Sequence, residues 1–242
     1  MRLLAIETAT PAQSVALVED DRLLAELSYE AQGNRGGVLL PTVDQVLKKA
    51  GVAARDLDVV AVSVGPGSFT GLRVGLATAK GLALGAGARL VGVPTLEALA
   101  AGYASADATI CALLDAYRGE VYMALFRRNG NVLERVSPDA VLAPGAVASA
   151  LAAVEGPVHL IGNGAARYRE PLEAALGGRA CVSDEGLRAA PTAAVVARLG
   201  IRQFAGGNKP DAEVALTYLR RAEAEVNWEK GLLKSPLARV AR

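Results

Sequence analysis

The order in which strand-like and helix-like segments follow one another constrains the fold of this chain more than any other feature of its sequence. Residues 2–7, 14–19 and 22–29 are short apolar or alternating runs separated by turn-forming residues, so they predict three consecutive strands. Over residues 38–50 the apolar positions instead recur on one face of a helix, which stops before Gly51. The chain therefore begins with a β-meander covered by a helix.

Strands and helices alternate after this meander. Residues 58–65 form a continuous apolar run typical of a strand buried on both faces, and residues 69–86 predict a long helix. A short strand over residues 89–93 and a helix over residues 94–104, with proline at its favoured first position, follow. The first part of the chain thus has the order βββαβαβα.

The second part repeats this order of elements without repeating the sequence. Strands are predicted over residues 109–115, 120–127, 132–136, 157–161 and 180–182, and helices over residues 144–154, 165–176 and 192–205. Two βββαβα units predict an α/β fold with two tandem lobes of the ribonuclease H-like type, as in actin-like ATPases and sugar kinases. We expect an N-terminal lobe over residues 1–104, a C-terminal lobe over residues 105–221 and a basic tail over residues 222–242.

A shortage of chemically versatile side chains excludes several kinds of active site. The 242 residues include one histidine, His159, and two cysteines, Cys111 and Cys181. A zinc site with several histidine ligands is excluded, and the two cysteines lie too far apart for a metal knuckle. All three residues lie in apolar runs, so we interpret them as structural residues of the core. We expect no metal site and no catalytic residue.

Charge and hydropathy limit the partners and the compartment of the chain. The net charge is only +1, from 26 Lys and Arg against 25 Asp and Glu, which excludes nucleic-acid binding through overall electrostatics. No uncharged apolar run is long enough for a membrane span, so we expect no membrane association. The low cysteine content fits a reducing, cytoplasmic environment.

A glycine-rich segment at residues 63–75 follows the buried strand and begins the long helix. Because glycine permits close backbone approach and free N–H groups at a helix start attract anions, the segment fits a phosphate site. It fits a tight turn with a capped helix equally well. Polar turns after the first strand of each half extend the same candidate site. The candidate nucleotide- or phosphate-facing residues are Glu7, Thr8, Gly65, Gly67, Ser68 and Asp115.

Small residues form a stripe along the helix over residues 69–86. Gly71, Gly75, Ala79 and Ala83 recur every four positions, and the helix carries only two charged residues, Arg73 and Lys80. A helix of this composition is buried on most sides. The sequence leaves open whether its own lobe or a partner protein buries it.

Seven motifs, taken in order along the chain, resemble the TsaB (YeaZ) family. They are LAIETAT at residues 4–10, LLP at 39–41, GPGSFTGLRVG at 65–75, KGLA at 80–83, VPTL at 93–96, DAYRGEVY at 115–122 and GNG at 162–164. The likeness extends from Met1 to Trp228. Residues 33–37 depart from it, since many members have His-Ser before the first helix and this chain has GNRGG. A partner contact through that histidine is therefore not expected here.

The resemblance implies a role in forming N6-threonylcarbamoyladenosine (t6A) in tRNA. In that family the transfer chemistry belongs to the related, metal-holding subunit TsaD, whereas TsaB members bind TsaD and help to recruit the ATPase TsaE. By resemblance this chain is a non-catalytic scaffold subunit that meets tRNA through the complex and forms a homodimer when its partners are absent. No tightly bound cofactor is implied, and ATP or ADP is expected only at the complex interface.

The resemblance also places the TsaD contact on the first two helices of the N-terminal lobe. The interface residues that it implies are Leu39, Leu40, Val43, Val46, Leu47, Gly71, Leu72, Gly75, Leu76, Ala79 and Ala83. Two other hypotheses remain open. One is an ATP-dependent phosphotransferase or ATPase that uses the cleft between the lobes, with Glu7 and Asp115 facing a metal; the other is direct tRNA binding through the basic tail after Arg220.

Overall fold

The first half of the chain forms a five-stranded mixed sheet. The computed structural model describes residues 1–31, 35–104, 107–182, 190–206 and 214–219. The elements of this half are β1 (Arg2–Glu7), β2 (Ala12–Glu19), β3 (Arg22–Glu30), α1 (Arg35–Ala50), β4 (Val59–Ser63), α2 (Phe69–Ala86), β5 (Arg89–Val93) and α3 (Thr95–Gly102). The sheet order is β3-β2-β1-β4-β5, in which the meander is antiparallel and β4 and β5 run parallel to β1.

The second half forms a sheet with the same topology. Its elements are β6 (Asp107–Asp115), β7 (Val121–Asn129), β8 (Val132–Arg135), β9 (Ala140–Leu142), α4 (Pro144–Ala150), β10 (Val158–Ile161), α5 (Asn163–Arg167), α6 (Arg169–Leu176), β11 (Ala180–Val182) and α7 (Ala193–Ala205). The order β11-β10-β6-β7-β8 reproduces that of the first sheet, with β9 added beside β7. The fold prediction of two tandem ribonuclease H-like lobes is confirmed.

Two elements of the second half differ from the sequence prediction. The helix predicted over residues 165–176 is two helices, because Pro171 cannot donate a backbone hydrogen bond to Arg167 and its ring crowds that carbonyl. The short strand β9 was not predicted, because its three residues lie in a segment between Pro138 and Pro144 that resembles a connecting loop. Neither difference alters the topology.

The last helix of each half packs against the sheet of the other half. Leu96 and Leu99 of α3 share a core with Ile110 and Phe126 of the second sheet. In return, α7 packs against β1, β2 and β5, and the Ala193 amide donates to Ser14 Oγ at 2.8 Å. The two sheets are thus joined by exchanged helices rather than by a single hinge.

This exchange corrects the predicted boundary between the lobes. The sequence prediction assigned all of residues 105–221 to the C-terminal lobe, but α7 completes the core of the first lobe. Residues 214–219 also return to the first lobe, where the Thr217 amide donates to the Val64 carbonyl at 2.8 Å. Prediction failed here because both segments are far in sequence from the sheet that they cover. The basic tail over residues 222–242 lies outside the described residues.

The helices of the described chain are too short or too polar to span a bilayer.

Candidate functional site

The turn after β1 buries a carboxyl group at the end of the strand. Glu7 and Thr8 have no exposed surface. The Ser63 hydroxyl donates to one carboxyl oxygen of Glu7, and the Ala9 amide donates to the other at 2.6 Å. Burial raises the pKa of Glu7 to about 7, although both hydrogen bonds lower it in part. Glu7 is therefore held inside the lobe by its own chain.

Glycines of the β4–α2 turn allow the backbone of this turn to approach β1 closely. A Cβ atom on Gly71 would overlap the Thr8 carbonyl oxygen, and one on Gly75 would overlap the Thr8 hydroxyl. At Gly67 a Cβ would lie 2.6 Å from the Ala9 carbonyl oxygen. The small-residue stripe of α2 thus begins where the helix crosses the end of β1.

The second half repeats this arrangement with different residues. Gly162 has a φ of 100°, and a Cβ there would overlap the Leu113 carbonyl oxygen near the end of β6. A Cβ on Gly164 would lie 2.9 Å from the Leu114 carbonyl carbon. In both halves, the glycine-containing turn that precedes a helix therefore packs closely against the end of the first strand of that half. This common packing explains the glycines without a bound phosphate.

Asp115 occupies in the second half the position that Glu7 holds in the first. Its side chain is 7% exposed and accepts hydrogen bonds from the Tyr117 amide and from the Arg167 guanidinium, each at 3.0 Å. Asn163 accepts from the Asp115 amide at 3.0 Å. These contacts fix the β6–β7 turn and pair the aspartate charge with Arg167.

The candidate phosphate residues do not converge on an open site. Glu7 and Thr8 are buried, a Cβ on Gly65 would lie 2.6 Å from the Thr217 carbonyl oxygen, and Gly67 lies against Ala9. Ser68 caps α2 by accepting from the Gly71 amide at 3.3 Å. Of the two interpretations of the glycine-rich segment, the structure favours the capped turn. Among the residues described, no group of three His, Cys, Asp or Glu is arranged to hold a metal ion.

The predicted partner-contact residues lie largely inside the first lobe. Ten of the eleven are buried in its own core, and only Leu40 is exposed, at 56%. These ten residues are therefore not surface residues of this chain, and which face of the helices meets a partner stays a prediction. Periodicity identifies an apolar face but does not show which side meets the sheet, and the larger apolar face packs on the chain's own strands.

The outward side of the same helices carries a different set of apolar residues. We use the term outer face for the exposed residues Val38, Leu40 and Pro41 of α1 and Ala77, Gly81 and Leu84 of α2. Leu84 is 87% exposed, and a Cβ on Gly81 would meet nothing within 4 Å. Sequence reasoning missed Val38, Pro41, Ala77, Gly81 and Leu84. The sequence could have indicated them, because they lie on the side of each helix that faces away from the predicted core stripe.

An aromatic cluster at the start of α2 was also not predicted. The Arg73 guanidinium lies 3.9 Å from the centre of the Phe69 ring and donates to the Tyr218 hydroxyl at 3.0 Å. The rings of Phe69 and Tyr218 are 5.2 Å apart. Residues 214–219 are thereby fixed beside α2, a contact between positions too distant in sequence for any local pattern to reveal.

The three scarce residues have different environments. His159 lies half-buried on β10 rather than in the core, and its Nδ1 shares a 2.8 Å hydrogen bond with the Tyr103 hydroxyl. Cys111 is fully buried, as predicted, but Cys181 is exposed. The prediction of a core position for Cys181 was wrong because β11 is the edge strand of its sheet.

Comparison with known proteins gives a consistent family. The family model described as "TsaD: tRNA N6-adenosine threonylcarbamoyltransferase" matches residues 30–228. The tRNA threonylcarbamoyladenosine biosynthesis protein TsaB of Bacillus subtilis is 32% identical over 94% of this chain and 98% of its own length. The Escherichia coli protein of the same name is 40% identical over 68% of this chain and 72% of its own.

A solved structure shows the same fold. The crystal structure of an uncharacterized protein with similarity to peptidase YEAZ from Pseudomonas aeruginosa superposes with a TM-score of 0.77 at 28% identity. The match covers 90% of this chain and 99% of that protein. Because the Bacillus subtilis relative is matched over nearly its full length and the family model over most of this chain, the chain belongs to the TsaB (YeaZ) family of tRNA threonylcarbamoyladenosine biosynthesis proteins.

Proposed function

We propose that this chain is a non-catalytic scaffold subunit that binds a TsaD-family enzyme and thereby supports threonylcarbamoyl transfer to tRNA. Membership of the TsaB family supports the reaction, because its relatives are named for t6A biosynthesis. The observation that supports a non-catalytic role is the burial of Glu7. A carboxylate with no exposed surface has no access to a metal, a nucleotide or a substrate.

The outer face of α1 and α2 is the proposed contact with the TsaD relative. An exposed leucine on each helix, Leu40 and Leu84, gives apolar area that association would bury. Beside them, Lys48 pairs with Asp44 at 2.7 Å on the exposed side of α1, as expected of a polar rim. The core stripe beneath keeps both helices rigid. When the enzyme is absent, the same face would pair with a second copy of this chain.

Two further elements of the proposal concern ligands and additional partners. We expect no tight nucleotide binding at the glycine turns of the isolated chain, since these turns are filled by their own backbone. At this end of the molecule, ATP or ADP would then bind only at the interface of the complex. A TsaE relative and tRNA would join the assembly through the complex rather than through this chain alone.

Copurification of the chain with its TsaD relative tests the interface. Leu84→Lys is the most informative variant. A lysine near the C-terminal end of α2 interacts favourably with the helix dipole, so we expect the substitution to leave the fold intact. Leu40→Glu tests α1 in the same way. We expect each to weaken the complex about tenfold or more, as charges placed in an apolar interface do.

Val132→Lys is the matched control for these variants. Val132 is 66% exposed on β8 of the other lobe, so Val132→Lys places the charge of Leu84→Lys, and Val132→Glu that of Leu40→Glu, outside the outer face. Each Val132 variant should bind like the unchanged chain. Equal binding by Leu84→Lys, Leu40→Glu and Val132→Lys would show that the contact lies elsewhere.

A further inference from the structure

A cavity with charged walls lies at the end of the molecule opposite the glycine turns. This cavity of about 330 Å³ opens between α3, β7 and α7, and its wall includes Arg128, Arg198 and Arg202. Arg128 pairs with Ala108 at the start of β6, whereas Asp115 ends that strand. The cavity is therefore distinct from the turns discussed above and from the outer face of α1 and α2.

Arg128 is held in place by the end of a helix. Its guanidinium donates to the carbonyls of Ala100 and Ala101 at 3.0 and 3.2 Å. These carbonyls belong to the last turn of α3, where the helix dipole is negative. The Nε atom of Arg128 is buried and has no hydrogen-bond partner in the described part of the chain. A buried donor of this kind is costly unless an acceptor reaches it.

The positive charge around Arg128 is not neutralised by the described residues. Arg198 and Arg202 lie one turn apart on α7, and no ion pair to either of them or to Arg128 is found within the described ranges. Burial lowers the pKa of Arg128, and the charges of Arg202 and Arg198 lower it further. Three like charges around one cavity are unfavourable unless an anion joins them.

One carboxyl group also lines this cavity. Glu97 of α3 lies 3.9 Å from Arg135, which interacts with it from β8. Burial raises the pKa of Glu97, Asp139 raises it as well, and Arg135 opposes both. The nearest opposite charge to Glu97 is thus Arg135, which is outside the group of three arginines.

We propose that this cavity binds a small phosphate-bearing anion through Arg128, Arg198 and Arg202. Planar guanidinium groups bind phosphate through paired hydrogen bonds, and arginine is the preferred residue for this task. The volume of about 330 Å³ is at the lower end for small-molecule sites and suits a pyrophosphate group. A concave site of this size, with the arginine charges on its walls, suits a small molecule better than the backbone of an RNA helix. A free pyrophosphate and the diphosphate of a nucleotide share this chemistry.

Calorimetric titration of the full chain with sodium pyrophosphate, and separately with ADP, tests the proposal. The test variant is Arg198→Gln combined with Arg202→Gln, because both residues are exposed and their replacement leaves the Arg128 contacts with α3 in place. Arg127→Gln is the matched control, since Arg127 is the neighbouring residue on β7 and faces the other side of the sheet. Melting curves establish that each variant is folded.

We expect pyrophosphate to bind the unchanged chain and the control, and to bind the double variant about tenfold more weakly or worse. Tighter binding of ADP than of pyrophosphate would identify a nucleotide as the source of the phosphate. Tighter binding of pyrophosphate would identify the free anion. Either result supports the site. Absence of binding would overturn it, as would equal weakening by Arg127→Gln. Binding of tRNA alone, lost in the double variant, would also overturn the small-anion proposal and assign the arginines to RNA phosphate.

Discussion

At the residue scale, the ends of β1 and β6 impose the strictest requirements on individual side chains. Glu7 accepts hydrogen bonds from Ser63 and Ala9 inside the lobe, and the glycines of the β4–α2 turn leave room for Thr8. The sequence predicted both turns and a capped start of α2, and the structure places the cap at Ser68. It did not predict that the β4–α2 turn packs against the turn after β1, because no local pattern shows which distant backbone will lie beside a glycine.

Glu7 should make the stability of the chain depend on pH. Its pKa is raised from 4.5 to about 7 in the folded state. Between these values the unfolded chain releases the proton while the folded chain keeps it, so the free energy of unfolding falls as the pH rises. The loss amounts to about 3 kcal/mol and is complete above the folded pKa.

Replacing Glu7 with glutamine should remove this loss. Urea unfolding of the unchanged chain and of Glu7→Gln at pH values from 4 to 8 measures the difference between them, which should grow as the pH rises. Glu134→Gln is the control, because Glu134 is exposed on β8. A difference that is constant over this range would contradict the buried carboxyl group.

Two glycines of α2 should respond in opposite ways to the same substitution. Gly75→Ala places a Cβ against the Thr8 hydroxyl and should lower the free energy of unfolding by about 2 kcal/mol or more. Gly81→Ala places a Cβ in open space on the outer face and should raise it by about 0.5–1 kcal/mol. Thermal unfolding of both variants checks the pair, and equal shifts would argue against the close approach of α2 to β1.

At the element scale, periodicity predicted nearly every helix and strand but not what each would cover. The element order of the two βββαβα units was predicted, since short apolar runs and helical periods are local properties. The order of the strands within each sheet was not, since it depends on long-range pairing. The orientation of α2 was not predicted, because an apolar stripe looks the same whether a partner or the chain's own sheet buries it. The same limit explains why α7 was assigned to the wrong lobe.

Leu199 of α7 should therefore stabilise the first lobe, although it lies in the second half of the sequence. It is 7% exposed and shares a core with β1, β2 and β4. Leu199→Ala should lower the free energy of unfolding by about 2–5 kcal/mol. In chemical denaturation, Leu84→Ala on the exposed side of α2 should change it by less than about 0.5 kcal/mol. A small effect at Leu199 would mean that α7 does not complete this core.

At the scale of the whole molecule, the chain has a two-lobed α/β fold in which neighbouring backbone fills the space beside the glycine turns. Helices α3 and α7 exchange between the sheets, so the lobes share their cores and resist opening. The polar residues at the ends of β1 and β6 stabilise turns, while the apolar residues of the outer face of α1 and α2 remain exposed. We propose that the chain supports t6A formation through that face and contributes no catalytic group.

Reconstituted t6A formation on tRNA, with the TsaD relative and the other required components supplied, tests this claim most directly. Glu7→Gln combined with Asp115→Asn removes the carboxylates at the ends of β1 and β6, and Leu84→Lys combined with Leu40→Glu alters only the outer face. The account predicts that the carboxylate variant retains activity and that the outer-face variant loses about tenfold or more. Loss of activity in a folded carboxylate variant, with full activity in the outer-face variant, would contradict it.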